Sequence, residues 1–437
     1  MSEWVNGTLA DAIASLDAGV SVNAEDRPHG AGEIGVLKTS AISGGAFRAE
    51  QNKAVLQHER SLVAEPVQAD SILVSRMNTP ALVGDSCYIP EEHPTLFLPD
   101  RLWQLKPKDR AQLNMRWLSF VLQSADYRRY VEVHATGTSG SMKNLPKSKL
   151  LALPVQYPAA VEQSVIAQIL DTLDTTIRET EALIDKLKAV KQGLLHDLLT
   201  RGVDANGQLR PPQSEAPQLY KESPLGWIPM EWSCRTLAYI ANTYAGGTPS
   251  RDMPGFFGGD VPWIKSTEVN RESIFSTDEQ ITQLGLRNSS AKWVPAGTPL
   301  IAMYGATAGV VSWLAIPATT NQAVLAAVPN ADQHGRWIYW ALNWSAPRLL
   351  ASVQGSGQPN LSKSTVDALI LAVPESSEQA AVAKILDQHV SRLAKETNYL
   401  TKVRAQKFGL MDDLLTGRVR VTPLLEPAQE PAAPTGA

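Results

Sequence analysis

The chain has 437 residues, 43% of them hydrophobic and 19% charged, which is enough sequence for two or three globular domains. No apolar run reaches the roughly 18 residues of a membrane span, and the N-terminal segment is acidic where a signal peptide is basic, so we expect a cytoplasmic protein. Two distant cysteines, Cys87 and Cys234, exclude a disulfide framework and a cysteine zinc site. The formal net charge of −4 gives no global sign of a polyanionic partner.

Residues 1–160 are predicted to form a first globular domain that is rich in strands. Its short apolar runs alternate with glycine and proline, which is typical of strands joined by turns. The predicted elements are strands at 69–75, 81–84, 96–98 and 150–155, a helix at 113–130 and a Gly/Ser loop at 137–144.

The last part of this first domain is basic. Ten lysines and arginines lie between Arg101 and Lys149 against three acidic residues, which gives this segment of 49 residues a net charge of +7. Such a density suits the binding of phosphates. A solvated surface of helices and turns has the same composition, so this segment alone leaves both interpretations open.

A long helix is predicted at 162–203, and the chain contains it a second time at 378–419. The two copies align without a gap at an offset of 216 residues, and 23 of the 60 positions from 144/360 to 203/419 are identical. Self-similarity at one fixed period indicates a duplicated unit.

Both copies have an apolar repeat of about 3.5 residues, which is typical of a coiled-coil seam. The apolar positions are Ile166, Leu170, Leu173, Ile177, Ile184, Leu187, Leu194 and Leu198, then Val382, Leu386, Leu393, Leu400, Val403, Leu410 and Leu414, with Thr180, Lys191, His389, Glu396 and Lys407 in the polar slots. At ~1.5 Å per residue each helix spans roughly 57 Å. We expect the two helices to bury these stripes against each other, which would place two globular domains at opposite ends of a rod. In the alternative, each helix packs on its own domain.

The second half of the chain repeats the plan of the first. Trp232 and Leu237 repeat the spacing of Trp4 and Leu9. Strands are expected at 263–265, 299–304, 324–328 and 368–373, and a helix at 335–350. The Pro, Gly and Ser density of 204–230 argues against regular structure there. Ser376 and Gln379 can form a capping box at the start of the second long helix.

The predicted fold class is α+β, with two similar mixed α/β domains separated by two long antiparallel coiled-coil helices and related by a pseudo-twofold internal repeat. The predicted boundaries are 1–160 for the first domain, 161–203 for the first long helix, 204–230 for a linker, 231–375 for the second domain, 376–419 for the second long helix and 420–437 for a disordered tail.

Sequence motifs for catalysis are missing. There is no Walker phosphate-binding loop, no HExxH zinc motif and no Gly-x-Ser-x-Gly elbow. No Asp or Glu stands two residues before a lysine, and the seven histidines are scattered. The absence of these motifs favours a binding protein, without a metal site, over an enzyme.

The chain resembles the specificity subunit of type I restriction–modification systems over nearly its whole length. The segments that carry this resemblance are the helix ends at 193–202 and 409–416, the entry to the second domain at 220–229, and the motifs at 246–250, 263–266, 304–309, 320–323 and 355–361, with looser matches at 70–73, 76–78 and 83–84. The Gly-Gly-Thr-Pro element at 246–249 has no sequence counterpart after Trp4.

The resemblance implies a division of labour. Each globular domain would be a target recognition domain that reads one half of a split DNA sequence. The paired helices would set the spacing and dock two methyltransferase subunits, which bring S-adenosylmethionine, and two motor–nuclease subunits that use ATP and Mg²⁺ would join for cleavage. The chain itself would bind no cofactor and catalyse nothing.

Residues that could contact DNA are basic or amide side chains in and around the predicted loops, because arginine, lysine, asparagine and glutamine read base edges and hold phosphates. The candidates are Arg76, Asn78, Arg128, Arg129, Lys143 and Lys147 in the first domain, and Lys265, Tyr304, Asn321, Gln322, Gln358 and Lys363 in the second. Asn144 and Asn360 match at the repeat offset and could instead cap turns.

Two other functions remain open from the sequence. A coiled-coil protein-interaction scaffold without DNA recognition agrees with the near-neutral net charge. A self-sufficient methylating enzyme is the third hypothesis, and the missing motifs disfavour it.

Overall fold

The computed structural model describes residues 4–137, 141–352 and 360–425. The chain divides into two compact units, one of Met1–Glu181 with Tyr399–Ala437 and one of Ala182–Asn398. Each unit combines one globular domain with half of each long helix. The helices are α1 (Leu9–Ala12), α2 (Met115–Val121), α3 (Ala125–His134), α4 (Lys147–Leu151), α5 (Ala160–Thr200), α6 (Leu237–Ile240), α7 (Gln283–Arg287), α8 (Gly335–Ala351), α9 (Lys363–Asp367), α10 (Ser376–Leu415) and α11 (Thr422–Leu425).

The first unit is built on two main sheets. Its strands are β1 (Val5–Thr8), β2 (Ile13–Ala18), β3 (Ala24–Glu25), β4 (Gly35–Leu37), β5 (Ile42–Ser43), β6 (Ala46–Phe47), β7 (Asn52–Val55), β8 (Pro66–Val67), β9 (Ser71–Ser75), β10 (Met77–Asn78), β11 (Ser86–Ile89), β12 (His93–Phe97), β13 (Leu102–Pro107), β14 (Lys143–Asn144) and β15 (Pro154–Tyr157). One sheet has the order β11-β9-β13-β2 and the other β3-β7-β4-β12-β8. Buried residues from both sheets, such as Leu37, Leu73 and Leu96, form a core between them.

The second unit repeats this arrangement. Its strands are β16 (Tyr220–Ser223), β17 (Gly226–Pro229), β18 (Ser233–Thr236), β19 (Ala241–Ala245), β20 (Phe257–Ile264), β21 (Ser273–Ile274), β22 (Glu279–Ile281), β23 (Trp293–Val294), β24 (Thr298–Ala302), β25 (Val311–Leu314), β26 (Ala318–Thr320), β27 (Val324–Pro329) and β28 (Ile370–Val373). The sheets run β19-β27-β24-β25-β21 and β22-β20-β26-β23. When the first of these sheets is read in reverse, its strands β25-β24-β27-β19 correspond to β11-β9-β13-β2 of the first unit. The second sheet, β22-β20-β26-β23, corresponds to β7-β4-β12-β8 in the order given. The predicted fold class, two similar mixed α/β domains with two long helices, is confirmed.

The long helices pair antiparallel within each unit. In the first unit Asp174 forms an ion pair with Lys407, and Glu181 forms one with Arg404 at 2.5 Å, so numbers rise along one helix as they fall along the other. In the second unit His389 Nε2 lies 2.8 Å from the carbonyl oxygen of Leu187. Ten of the fifteen predicted apolar positions of the stripe are buried, namely Ile166, Leu170, Ile184, Leu187, Leu198, Val382, Leu386, Leu400, Val403 and Leu414, and the other five are partly buried. Two polar side chains of this stripe, Lys407 and His389, thus each bind a group of the other helix.

A buried glutamine fixes the start of each long helix to its domain. Gln163 Oε1 accepts a hydrogen bond from Asn114 N at 2.8 Å, and Gln163 Nε2 donates to the carbonyl oxygen of Pro158 at 2.9 Å. Gln379, at the repeat offset, makes the same bonds to His334 N at 2.8 Å and to the Pro374 carbonyl at 2.9 Å. The predicted capping box at Ser376 is wrong, because this Gln379 side chain binds the domain instead.

Replacing Gln379 with alanine is expected to destabilise the second unit by about 1–3 kcal/mol, because a buried N–H and a buried carbonyl lose their partner. Gln163→Ala should weaken the first unit by a similar amount, and Gln192→Ala, at an exposed helical position, should weaken neither. Hydrogen exchange resolved by segment measures each unit separately. Equal protection of the second unit's amides from exchange in the Gln379→Ala and Gln192→Ala variants would show that the hydrogen bonds of Gln379 do not stabilise this unit.

The linker predicted at 204–230 contains regular structure, contrary to expectation. Strands β16 and β17 form an antiparallel hairpin in which Tyr220 pairs with Pro229. Gly226 has a φ of +90°, which glycine adopts without strain. Tyr220 and Ile228 are buried, so apolar burial outweighs the turn-forming composition.

Part of the predicted disordered tail is also ordered. Arg420 Nη2 donates to both carboxylate oxygens of the buried Glu162, at 2.9 and 3.0 Å. Val421 is buried in the core of the first unit, and α11 follows it. The remainder, 426–437, lies outside the described residues.

Three smaller predictions in the first domain are wrong. The strand expected at 150–155 begins only at Pro154, because α4 continues to Leu151. Residues 81–84 form a turn rather than a strand, and Gly84 there has a φ of +81°. The helix expected at 113–130 is divided into α2 and α3. The Ser124 hydroxyl accepts a hydrogen bond from the N–H of Tyr127 at 3.2 Å and so caps the start of α3. Within the described ranges, no helix is long and apolar enough to cross a membrane.

Candidate functional site

Three of the predicted DNA-contacting residues emerge together at one sheet edge of the second unit. Strands β20 and β26 are parallel, with Ile264 paired to Thr320. Lys265 directly follows β20, and Asn321 and Gln322 directly follow β26. The N–H of Asn321 donates to the carbonyl oxygen of Ile264 at 2.9 Å, which holds the two chain segments together. We call this place the parallel-strand edge of the second unit.

The Gly-Gly-Thr segment fixes Gln322 at this edge. Gly246 lies so close to β26 that a Cβ on it would come within 1.8 Å of the Thr320 carbonyl oxygen, so only glycine fits. This close approach brings Thr248 beside Gln322, and its hydroxyl donates to Gln322 Oε1 at 2.6 Å. The glutamine amide is therefore held at an exposed position by a neighbouring side chain.

A carboxylate organises two cations at the same edge. Glu279 accepts from both guanidinium nitrogens Nη1 and Nη2 of Arg251, at 2.5 and 3.1 Å, and lies 3.2 Å from Lys265 Nζ. The Arg251 guanidinium also stacks over the Phe257 ring at 4.2 Å. The hydrogen bond from Arg251 lowers the pKa of Glu279, so this carboxylate stays charged. The cluster has a net charge of +1 and fixes the direction of both cations.

Tyr304 lies next to this edge. Tyr304 is 41% exposed and bridges Asn360 through its backbone. The preceding residue, Met303, bonds to the carbonyl oxygen of Ala323, which follows Gln322. Lys363 forms an ion pair with Asp367 within α9. Gln358 lies outside the described residues.

The first unit has an equivalent parallel-strand edge that sequence reasoning missed. Strands β4 and β12 are parallel, with Phe97 paired to Val36. Lys38 follows β4 as Lys265 follows β20, and it forms an ion pair at 2.8 Å with Asp26, which also lies 3.5 Å from Lys53. The short match between Leu-Lys-Thr-Ser at 37–40 and Ile-Lys-Ser-Thr at 264–267 is the signal that could have found Lys38.

Three of the first-domain candidates come together on a small ladder. Met77 pairs with Asn144 and Asn78 pairs with Lys143 in the β10–β14 pair. Arg76 Nε donates to Asn144 Oδ1 at 3.4 Å. The repeat offset of 216 residues relates Asn144 to Asn360, and the backbone of Asn360 forms an isolated antiparallel bridge with Tyr304, as that of Asn144 pairs with Met77.

The remaining first-domain candidates lie elsewhere, and two of them bind backbone. The Arg128 guanidinium donates to three carbonyl oxygens in the turn at 80–83, at 3.1, 3.3 and 2.8 Å. Lys147 Nζ donates to the carbonyl oxygen of Leu16 at 2.7 Å. Arg129 is 72% exposed and lies 3.3 Å from Asp126. Arg128 and Lys147 therefore have internal partners that explain their positions in the fold.

Five of the ten basic residues at 101–149 form ion pairs with acidic residues of the same unit. Arg116 forms ion pairs with Asp171 at 2.6 Å and with Asp174 at 3.2 Å, which attach α2 to the first long helix. Lys106 lies 2.5 Å from Glu65 and 3.2 Å from Asp17. The density of basic residues in sequence thus overstates the positive charge that this segment offers to a partner.

The described parts of the chain contain no group of three or more His, Cys, Asp or Glu residues suited to hold a metal ion. The site geometry is that of a binding surface, in which amide and cationic side chains are held by neighbouring hydroxyl and carboxylate groups.

Comparison with known proteins identifies the family. The model of the type I restriction modification DNA specificity domain matches residues 1–189 and 229–403. The chain belongs to this family. The two matched segments correspond to the two repeats of the sequence.

Among the similar proteins are type I restriction enzyme specificity subunits from two organisms. The MjaIX subunit of Methanocaldococcus jannaschii is 27% identical over 197 residues, which cover 43% of this chain and 45% of the relative. The HindI subunit of Haemophilus influenzae is 28% identical over 200 residues, which cover 44% of this chain and 42% of the relative. The alignments with these relatives therefore span less than half of their length.

Solved structures share the fold over nearly the whole chain. The S subunit of a type I restriction–modification system from M. genitalium matches with a TM-score of 0.60 and 16% identity, covering 94% of this chain and 96% of that one. A chain from a structure described as the basis of complex assembly and conformational transition of the type I R-M system matches with a TM-score of 0.56 and 14% identity, covering 96% and 99%. At these identities the likeness concerns the fold.

Proposed function

We propose that this chain is the DNA-binding specificity subunit of a type I restriction–modification complex, and that each globular domain reads one half of a bipartite target. The observation that supports this most is the repeated parallel-strand edge. Each unit of this chain has such an edge, where a lysine directly follows one of two adjacent parallel strands. Two equivalent readers in one chain suit a target with two parts.

The two kinds of side chain at each edge would have different tasks. Lys38, Lys265 and Arg251 carry the positive charge that phosphates require, and their carboxylate partners orient them. Asn321 and Gln322 carry amides, which can make paired hydrogen bonds to adenine in the major groove. Arg76, Asn78 and Lys143 form a second set of donors in the first domain.

The long helices would set the distance between the two half-sites and dock two methyltransferase subunits. The predicted domains, 1–160 and 231–375, are then target recognition domains, and α5 and α10, of 41 and 40 residues, are the spacer. Adenine methylation with S-adenosylmethionine, and cleavage driven by ATP and Mg²⁺ in motor–nuclease subunits, would belong to these partners. The chain works in the cytoplasm, where the chromosome is accessible, and supplies recognition rather than catalysis.

A gel-shift assay with the methyltransferase partner and a library of duplexes tests this proposal. We expect selection of one bipartite sequence with a fixed spacer, because specific binding exceeds non-specific binding by roughly 10³–10⁷-fold. The salt concentration is held constant across the library, since phosphate contacts make affinity depend on salt. Binding that is indifferent to sequence favours the scaffold hypothesis, and methylation by this chain alone favours the enzyme hypothesis.

A further inference from the structure

At the parallel-strand edge of each unit, a hydroxyl group donates a hydrogen bond to one exposed side chain. The side chain that accepts this bond is an amide in the second unit and a carboxylate in the first. In the second unit the Thr248 hydroxyl donates to Gln322 Oε1 at 2.6 Å. In the first unit the Ser21 hydroxyl donates to Asp100 Oδ1, also at 2.6 Å. All four of these side chains are on exposed residues.

The glycine two residues before each hydroxyl shows that the two bonds occupy the same place in the fold. A Cβ on Gly19 would lie 1.6 Å from the carbonyl oxygen of Leu98, as a Cβ on Gly246 would lie 1.8 Å from that of Thr320. Asp100 lies two residues after Leu98, and Gln322 lies two residues after Thr320. The Gly-Gly-Thr element thus has a structural counterpart in the first unit, although the sequence shows none.

Backbone hydrogen bonds next to the site confirm this correspondence. Arg76 N donates to the carbonyl oxygen of Arg101 at 2.9 Å, as Met303 N donates to that of Ala323 at 2.9 Å. Arg101 directly follows Asp100, and Ala323 directly follows Gln322. The residues just before Arg76 and Met303 also correspond. The carbonyl oxygen of Ser75 accepts the N–H of Gly84 at 2.8 Å, and the carbonyl oxygen of Ala302 accepts the N–H of Gly309 at 2.8 Å.

The chemistry of the two acceptors predicts different base preferences. In the major groove adenine presents an acceptor beside a donor, whereas cytosine presents only its N4 donor. The Gln322 amide offers both a donor, Nε2, and an acceptor, Oε1, and therefore matches adenine. The Asp100 carboxylate offers acceptors only, and its second oxygen remains available after Ser21 has bound Oδ1, so it matches cytosine and is repelled by the acceptor N7 of adenine.

We infer that Asp100 and Gln322 are equivalent specificity-determining residues, and that Asp100 selects cytosine at one position of the first half-site while Gln322 selects adenine at one position of the second. This inference rests on the proposed function. The exposed Arg101, which directly follows Asp100 in sequence, carries a positive charge that offsets the repulsion between the Asp100 carboxylate and the phosphates.

Exchanging the chemistry at these positions tests the inference. Asp100→Asn keeps an oxygen for the Ser21 hydroxyl and adds a donor, so the preferred base at one position of the first half-site is expected to change from cytosine to adenine. Gln322→Glu should cause the reverse change in the second half-site. Selection from a randomised bipartite duplex library, with the methyltransferase partner present, should show a change in relative affinity of about tenfold to a hundredfold at that position alone.

A control separates base reading from simple charge. Glu92→Gln removes one exposed negative charge from the first unit and should alter affinity for every sequence alike. If the unmodified chain selects a bipartite target but Asp100→Asn behaves as Glu92→Gln does, with no change of preferred base, the inference on Asp100 is wrong while the proposed function stands. If the unmodified chain selects no target, the proposed function itself fails. Gln322→Glu lies in the other unit and gives an independent result.

Discussion

Paired insertions of seven residues, one between Glu181 and Ala182 and one between Asn398 and Tyr399, are expected to lengthen the spacer of the recognised DNA by about three base pairs. Seven helical residues add roughly 10.5 Å, and one base pair occupies about 3.4 Å. Both insertions fall at the boundary between the two compact units, so the helix pairs inside each unit keep their partners. A heptad also keeps the apolar stripe in phase.

Insertions of four residues provide the matched comparison. Four residues near Thr180 add about 6 Å and rotate the following helix by about 40°. They place the stripe out of phase, so we expect a changed spacer and weaker binding. Target selection with the methyltransferase partner measures both variants. An unchanged spacer in the seven-residue variant would falsify the proposal that helix length sets the spacing.

Glu378→Ala is expected to lower the free energy of unfolding of the second unit by about 3 kcal/mol, the largest stability effect that we predict for one side chain. Its carboxylate accepts hydrogen bonds from Arg210, from Val203 N at 2.9 Å and from Trp232 Nε1 at 3.0 Å. The Arg210 and Glu378 side chains are 11% and 12% exposed, so removal of the carboxylate leaves a nearly buried guanidinium without its main partner.

Two controls show whether charge causes this loss. Glu375→Ala removes an exposed carboxylate from the same helix start and should cost less than about 1 kcal/mol. The double variant Arg210→Met with Glu378→Leu removes both charges and should be more stable than Glu378→Ala. Denaturant unfolding, monitored by hydrogen exchange of the amides in residues 182–398, measures the free energy of unfolding of each variant. A double variant as unstable as the single variant would mean that packing, and not the unpaired charge, causes the loss.

The parts of the fold that depend on periodic burial could be predicted from the sequence. The stripe through Leu170 and Leu187 follows a heptad, and both residues are buried. The duplication was equally visible, because the two copies align without a gap and share 23 of 60 residues. The hairpin at 220–229 could not be predicted, because its turn-forming residues conceal the apolar contacts of Tyr220 and Ile228.

The candidate site was only partly predictable for a different reason. Lys265, Asn321 and Gln322 lie in recognisable motifs, and the structure brings them to one edge. Asp100 lacks such a motif, because its equivalence to Gln322 depends on strand pairing and on a close approach of backbone that many sequences allow. Arg128 was selected for its charge, yet the carbonyl oxygens that it binds are set by the tertiary fold.

Methylome sequencing of the source cell, with and without this gene, tests the central claim most directly. The account predicts a methylated motif made of two specific half-sites with a fixed non-specific spacer, present in the intact cell and lost when the gene is deleted. Methylation that is unchanged by the deletion, or a lost motif that is one continuous sequence, would contradict the claim that two domains of this chain read the two halves of one target.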